Sequence, residues 1–414
     1  NYMKIRLGAG AVGNQNLPGG APNPPYTSNV NFWPGPVGFG QVGTASTNFI
    51  AGIANPDLGW ESVITYNGGI DFGFLNGRID FTVDLYKKIT SNMLLFSTGP
   101  ALLGIGDAWN DLKAPIGNVG QMTNTGIDIS LVTRNISKPN FSWNTSFVFS
   151  HYKNVLDKLI NESSSIDGKL YYDNYLITHT VPGYAVGTFW GLVTDGLFRT
   201  ETDLANSYPQ FGSAVAQNET WLGDIRYKDV HKDQVIDSKD LTFIGSPIPD
   251  FTFGLTNTFR YRDLDLSVFL QGSYGAEIFN FMKWQLERMN NVYYNQSTAV
   301  MDRYTATNKD GALPRFTNTN TNNTAMSDRY VEDGSFLRVQ NITLGYRLPK
   351  TVINKVMMNS LRVFVTVQNL HTFTKYTGYD PEVGSYNNSI RLMNVDAGHY
   401  PNPRTYMGGV SVEF

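Results

Sequence analysis

Asp229, Asp233, Asp237 and Asp240 fall at positions 1, 5, 9 and 12 of one short segment, close to the ligand spacing of a calcium-binding loop. Carboxylates in that pattern suit a hard cation, and calcium is the ion expected if this loop holds one. Three departures stand against it: His231 at position 3, Gln234 where the sharp turn wants glycine, and a short aspartate at position 12. The alternative is an acidic surface loop. A second motif, Gly8-Ala9-Gly10-Ala11-Val12-Gly13, follows a strand-like segment with the glycine spacing of a dinucleotide site. That site needs a helix whose amino terminus faces the pyrophosphate. Asn14 to Gly20, with Pro18 inside, cannot start one, and no acidic residue precedes Asp57 to hold a ribose. The glycines read better as small inward-facing or loop residues.

Catalytic signatures are missing. The chain has no G-x-S-x-G elbow, no H-E-x-x-H and no P-loop. Its lack of cysteine removes a thiol nucleophile, a disulfide scaffold and a thiolate metal site together. Of the five histidines, His151 and His371 fall near strand ends, where a solvated rim position is the ordinary role. A net charge of −3 gives no footing to a nucleic-acid partner. Aromatic residues make up 13% of the chain, and Phe32, Trp33, Phe39, Tyr293, Tyr294 and Tyr386 lie in long polar stretches. There they suit stacking on sugar rings, although membrane-interface girdles use the same residue types. The Asn/Thr run from Thr317 to Thr324 reads as a polar loop tip.

The elements that must carry these residues are strands. Alternation with period two recurs along the chain. Ile79, Phe81, Val83 and Leu85 oppose Asp80, Thr82 and Asp84; Ile342, Leu344, Tyr346 and Leu348 oppose Asn341, Thr343, Gly345 and Arg347. Met3, Ile5 and Leu7 oppose Lys4 and Arg6, and Val410, Val412 and Phe414 oppose Ser411 and Glu413. A soluble sandwich shows the same alternation, so the connections decide. Tight reversals are expected at Asn76-Gly77, a type I′ signal, near Asn135 to Asn140, and near Arg262-Asp263. Between them lie long Gly-, Pro- and Asn-rich stretches at 13–58, 91–121, 275–330 and 373–403. Short turns on one side and long loops on the other describe a transmembrane β-barrel. No run of 18 apolar residues exists to form a membrane helix, but a barrel does not need one.

Alternating direction gives strands at 2–12, 61–74, 78–90, 122–134, 141–152, 251–262, 264–274, 336–348, 360–372 and 404–414. With the Asn76-Gly77 side periplasmic, the carboxy terminus is also periplasmic. Segment 155–250 must then hold zero or two crossings, with strand-like 184–198 as the open question. The expected class is all-β: ten to twelve strands of an antiparallel barrel wall that does not close on itself. Asp80, Asp84, Asp128 and Arg347 would face the lumen and satisfy one another or water. Asn1 to Leu7 already reads as a strand, so a signal peptide is expected upstream.

Several strings, taken in order, resemble the SusC-like TonB-dependent transporters of the Bacteroidetes. They include Lys4-Ile5-Arg6-Leu7, Asn55-Pro56-Asp57-Leu58-Gly59-Trp60-Glu61, Asn118-Val119-Gly120 and Asn124-Thr125-Gly126-Ile127-Asp128. Further along stand Gly223-Asp224-Ile225-Arg226-Tyr227, Ile244-Gly245-Ser246-Pro247, Asp333-Gly334-Ser335-Phe336-Leu337-Arg338 and Tyr379-Asp380-Pro381-Glu382. The resemblance implies the carboxy-terminal part of a 22-stranded barrel filled by an amino-terminal plug, with plug and TonB box outside this chain. It also implies a SusD-like lipoprotein lid, association of transporter–lipoprotein pairs as dimers, and oligosaccharide or peptide cargo. It identifies no substrate-binding residues and calls for no cofactor. Phe414 resembles the terminal aromatic by which barrels are recognised for membrane assembly. A passive porin is the alternative, and an outer-membrane enzyme a third reading that lacks a catalytic constellation.

Overall fold

The computed structural model describes residues 1–14, 31–38, 44–52, 55–96, 115–160, 164–170, 175–215, 221–290, 293–317, 322–353 and 358–413. Among the described residues, ten strands form one antiparallel sheet in chain order. They are β1 (Tyr2–Asn14), β2 (Glu61–Phe74), β3 (Ile79–Phe96), β4 (Ile116–Lys138) and β5 (Phe141–Lys158), then β6 (Phe251–Tyr261), β7 (Leu264–Tyr274), β8 (Phe336–Arg347), β9 (Ser360–Thr374) and β10 (Thr405–Glu413). The sheet is the expected barrel wall, at the lower end of the ten-to-twelve range. Its first and last strands do not pair, so it is an arc with two free edges.

Register turns the alternation into two continuous faces. Ile5 pairs with Ile70, Ile70 with Val83, Val83 with Ile129, Ile129 with Phe149 and Phe149 with Phe253. One residue along, Arg6, Gly69, Asp84, Asp128, Ser150, Thr252 and Ser273 line up on the opposite face. A slip of one residue would exchange the rows and put Asp84 and Asp128 in lipid, so burial of the apolar row fixes the pairing. The 23-residue β4 is much longer than the ~9–11 residues that cross a bilayer. It and its neighbours therefore rise past the membrane on the long-loop side.

The reversals on the other side are tight. Lys138 pairs with Phe141 and Tyr261 with Leu264, leaving two residues at each turn. The Asn76-Gly77 reversal departs from the expected type I′ turn with the next strand starting at 78. Leu75, Asn76 and Gly77 all take positive φ, and Phe74 pairs with Ile79, so the loop is four residues long. Arg78 accounts for this: its N–H reaches back to the Phe74 carbonyl, while its guanidinium donates to the carbonyls of Arg134 and Asn135 in the next hairpin.

Among the described residues, 159–250 contributes no strand to the wall. Residues 184–198 instead supply Phe189–Gly191 and Thr194–Leu197 to two small sheets outside it. The first of these sheets, helix Phe281–Glu287 and the segment before β10 share a core in the cap, while Leu197 of the second packs in a separate cluster with Leu192, Ile225 and Tyr227. Leu170, Ile177 and Phe189 pack with Phe279, Phe281, Trp284 and Tyr330, and with Leu392 and Val395. Three connections thus share one apolar cluster, each large side chain of which contributes about 1.5–3 kcal/mol on burial. Backbone bonds join the same three segments: Phe279 N–H donates to the Asn394 carbonyl at 2.9 Å and Leu192 N–H to that of Met326 at 2.9 Å.

The run Thr317–Thr324 is not a polar tip where it is described. Asn322 and Asn323 are buried, and residues 318–321 lie outside the described set. Asn322 Nδ2 donates to the Ile225 carbonyl and Asn323 Oδ1 accepts from Ile225 N–H. Ile225 pairs with Leu197 on one edge, and the amides satisfy its backbone on the other, so their polarity is used inside the cap rather than in water.

The two-face register has a direct test. Ile129→Arg, on the apolar face, is expected to lower barrel stability by ~2–4 kcal/mol, and Thr256→Arg on the opposite face by much less. Unfolding of the full-length protein in lipid vesicles measures both.

Candidate functional site

The polar face of the wall is organised by arginines. Arg6 Nε and Nη2 donate to Asp71 at 3.0 and 2.9 Å, and the same guanidinium reaches Asp84 at 2.9 Å. Gly69 makes the crossing possible, because a Cβ there would lie 2.2 Å from Asp84 Oδ1 and 2.8 Å from Arg6 Nη2. Arg362 pairs with Asp265 at 2.5 Å across β9 and β7. Of the residues expected to satisfy one another, Asp84 pairs with Arg6, Asp128 accepts from the Ser150 hydroxyl at 2.6 Å, and Asp80 accepts from Tyr2. Arg347 is joined to the β6–β7 turn through its backbone N–H, which donates to the Asp263 carbonyl.

Where this face meets the cap, a cavity of about 960 Å³ opens. Asp84, Asp128, Ser150, Tyr152, Gln271 and Phe336 line it from the wall. Pro247 to Pro249 and the segment Pro381 to Ser385, with Asn388 and Met393, line it from the cap. Carboxylate, amide and hydroxyl groups here stand beside aromatic rings, the mixture that binds and orients a polar molecule.

Arg338 holds the cap segment in place. It sits on the inner face of β8 with a side chain only 1% exposed. Its Nε donates to Thr372 Oγ1 at 2.9 Å, Nη1 to Glu382 Oε2 at 2.6 Å, and Nη2 to Asp380. Asp380 also accepts from the N–H groups of Glu382 and Asn402, at 2.9 and 3.1 Å. Burial alone would raise the Asp380 pKa, but these two amides and the guanidinium outweigh it and hold the group below the usual carboxylate range. Its contribution to stability is therefore complete above about pH 4 and is lost as pH falls through the lowered value.

Neighbouring ties follow the same logic. Glu332 accepts from Lys283 Nζ at 2.9 Å and from the N–H and hydroxyl of Thr377. Tyr376 donates to Asp396 at 2.5 Å, and Asp396 accepts from the N–H groups of Gly398 and His399. Buried Asp224 takes a two-pronged bond from Arg315 at 2.8 and 2.9 Å, with a third from Asn323. These pairings join strings that stand far apart in the chain. Arg338 at the start of one strand meets Asp380 and Glu382 in the following connection. The available signal was an arginine at an inward position followed by an acidic pair beyond the next strand.

The four aspartates of the calcium-like spacing do not converge. Asp229 accepts from the N–H groups of Lys232, Asp233 and Gln234; Asp240, wholly buried, accepts from Val230, His231 and Asp237. Asp237 accepts from Lys239 N–H, and Asp233 pairs with Lys239 Nζ at 2.9 Å. Among the described residues no group of three or more acidic or histidine side chains is placed to hold a metal. The carboxylates organise the loop by capping its own amides. Beside it lies a polar cleft of about 670 Å³ lined by Asp195, Asp203, Arg226 and Lys232.

The remaining candidates scatter. Gly8 to Gly13 lie within β1. His151 contacts the Asp250 carbonyl at the rim, and His371 stands edge-on to Phe373. Tyr293 is 90% exposed, Tyr294 lies beneath Arg288, and Tyr386 packs on the cap core. Phe39, Phe414 and the side chains of Phe32 and Trp33 lie outside the described residues.

Two outcomes follow. Arg315→Ala leaves Asp224 buried without its cation and is expected to destabilise the cap by ~3–5 kcal/mol, read by hydrogen exchange at Ile225. Calcium, or its removal by a chelator, is expected to leave thermal unfolding unchanged, since the loop carboxylates are already taken by amides and Lys239.

Residues 16–370 match the family described as TonB dependent receptor-like, beta-barrel. The chain is 30% identical to TonB-dependent receptor P3 of Formosa agariphila, over 99% of this chain and 39% of that protein. It is 28% identical to TonB-dependent receptor SusC of Bacteroides thetaiotaomicron, over the whole of this chain and 37% of that protein. It thus spans well under half the length of these relatives. Its fold matches the structure of the RagAB peptide transporter with a TM-score of 0.78 at 22% identity, over all of this chain and 41% of that one. With the wall, its register and its cap in place, the chain belongs to the TonB-dependent receptor β-barrel family.

Proposed function

We propose that this chain forms the carboxy-terminal wall and outer cap of an outer-membrane importer that takes up a nutrient with energy delivered through TonB. The observation that carries it is the cavity of about 960 Å³ between the polar wall face and the cap. A wall alone would serve a pore, whereas a cap packed over the inner face supplies a place to hold cargo. Relatives named as TonB-dependent receptors support the energy source.

Cargo is an oligosaccharide or a peptide. Gln271, Ser273 and Asn388 offer hydrogen bonds to either, and Phe336 and Tyr152 offer ring faces. Further strands of a 22-stranded barrel, a plug and the TonB contact come from the part of the protein before this chain, and a SusD-like lipoprotein closes the long-loop side. Pairs of transporter and lipoprotein associate as dimers. In this reading the cap lies outside the cell and the carboxy terminus in the periplasm, an orientation in keeping with tight turns on the periplasmic side and long loops outside. Binding can select cargo, but accumulation against a gradient needs the external energy input, and no resident cofactor takes part.

Uptake by cells expressing the full-length protein is expected to fall to background when TonB is deleted. Uptake that persists unchanged would identify a passive porin, and breakdown of the cargo by purified protein would identify an enzyme.

A further inference from the structure

We propose that the segment 375–404 is a fixed inner wall of the cargo cavity, latched by Arg338, and that this latch sets the largest group the cavity admits. The inference rests on the import reading and adds to it the residue that determines size selection. A connection over a barrel mouth can act as a swinging lid only if its base detaches at low cost. Here the base is held by a buried cation. Arg338 is fully buried, and its guanidinium is divided between Thr372 of β9 and the two acids of the segment. Release would leave a buried cation without its counter-charge, the costly way to break such a pair.

Asp380 extends the hold to both ends of the segment, since it accepts from Glu382 N–H near the start and from Asn402 N–H near the return to β10. The middle is braced as well. Asp396 N–H donates to the Phe279 carbonyl at 2.9 Å, and Asn394 Nδ2 to that of Pro247 at 3.0 Å. The residues that follow Asp380 directly, Pro381 to Ser385, line the cavity, as do Asn388 and Met393 further along. The start of that cavity wall is therefore tied to Arg338 through Asp380 and Glu382.

Accessibility of a single thiol tests this in the full-length transporter. This chain has no cysteine, and any thiol elsewhere in the protein is first replaced by serine. Ser385→Cys is labelled with N-ethylmaleimide and, separately, with a maleimide carried on a polyethylene glycol chain. With the latch intact, the small reagent reacts and the large one is excluded. Adding Arg338→Gln is expected to raise labelling by the large reagent roughly a hundredfold, the order by which losing one member of a buried pair shifts an opening equilibrium. Glu382→Gln, which leaves Asp380 in place and alters a partly exposed acid, is expected to raise it less than about fivefold.

Large-reagent labelling as fast as small-reagent labelling with the latch intact would overturn the proposal. So would an Arg338→Gln protein that assembles as a barrel and still excludes the large reagent. If Arg338→Gln does not assemble, Asp380→Asn replaces it with the same two outcomes, and the measurement with Arg338 present decides in any case. Labelling is read without transport, so its failure is distinct from a failure of TonB-dependent uptake.

Discussion

A backbone peptide group in a bilayer has no water to bond with, and this constraint governs the rest of the structure. The wall strands meet it by pairing with their neighbours everywhere except at the outer edges of β1 and β10, and this pairing commits each residue to one of two faces. Once the apolar row from Ile5 to Phe253 faces lipid, the row from Arg6 to Ser273 must face inward. Inward charge then needs partners that do not cross the wall. Arg6 with Asp71 and Asp84, and Arg362 with Asp265, supply them along the inner surface.

The cap obeys a different rule. Its segments lie outside the wall and contain too little regular structure to stabilise themselves singly. They share a core in which residues from three connections pack together, and buried polar side chains serve where strand partners are missing. Asn322 and Asn323 satisfy Ile225 in this way, and Asp224 with Arg315 anchors the same corner. Such networks stabilise only when every member is satisfied, which explains why polar strings such as Gly223-Asp224-Ile225 lie inside the cap.

The wall was legible in the sequence because its signal is local. Period-two alternation and tight turns are properties of adjacent residues, so strand order and direction could be read from them, while parity left zero or two crossings in 155–250 and the structure shows none among the described residues. The turn at Asn76-Gly77 was misjudged in length because Arg78 is drawn to a neighbouring hairpin, a non-local pull. The cap was not legible. Arg338 and Asp380 are 42 positions apart, and nothing in either segment alone says that they meet. The aspartates at 229, 233, 237 and 240 show the converse. Their spacing is local and suggestive, but carboxylates cap backbone amides as readily as they gather around a cation, and only their geometry distinguishes the two uses.

In the proposed importer the capped side faces outward and the tight turns face the periplasm. Single cysteines at Tyr293, on the exposed cap surface, and at Asn76, in a tight turn, test it with a membrane-impermeant thiol reagent on intact cells. Labelling of the first in intact cells, and of the second only after the outer membrane is opened, is the predicted result. Labelling of Asn76→Cys in intact cells, with Tyr293→Cys protected, would contradict the account.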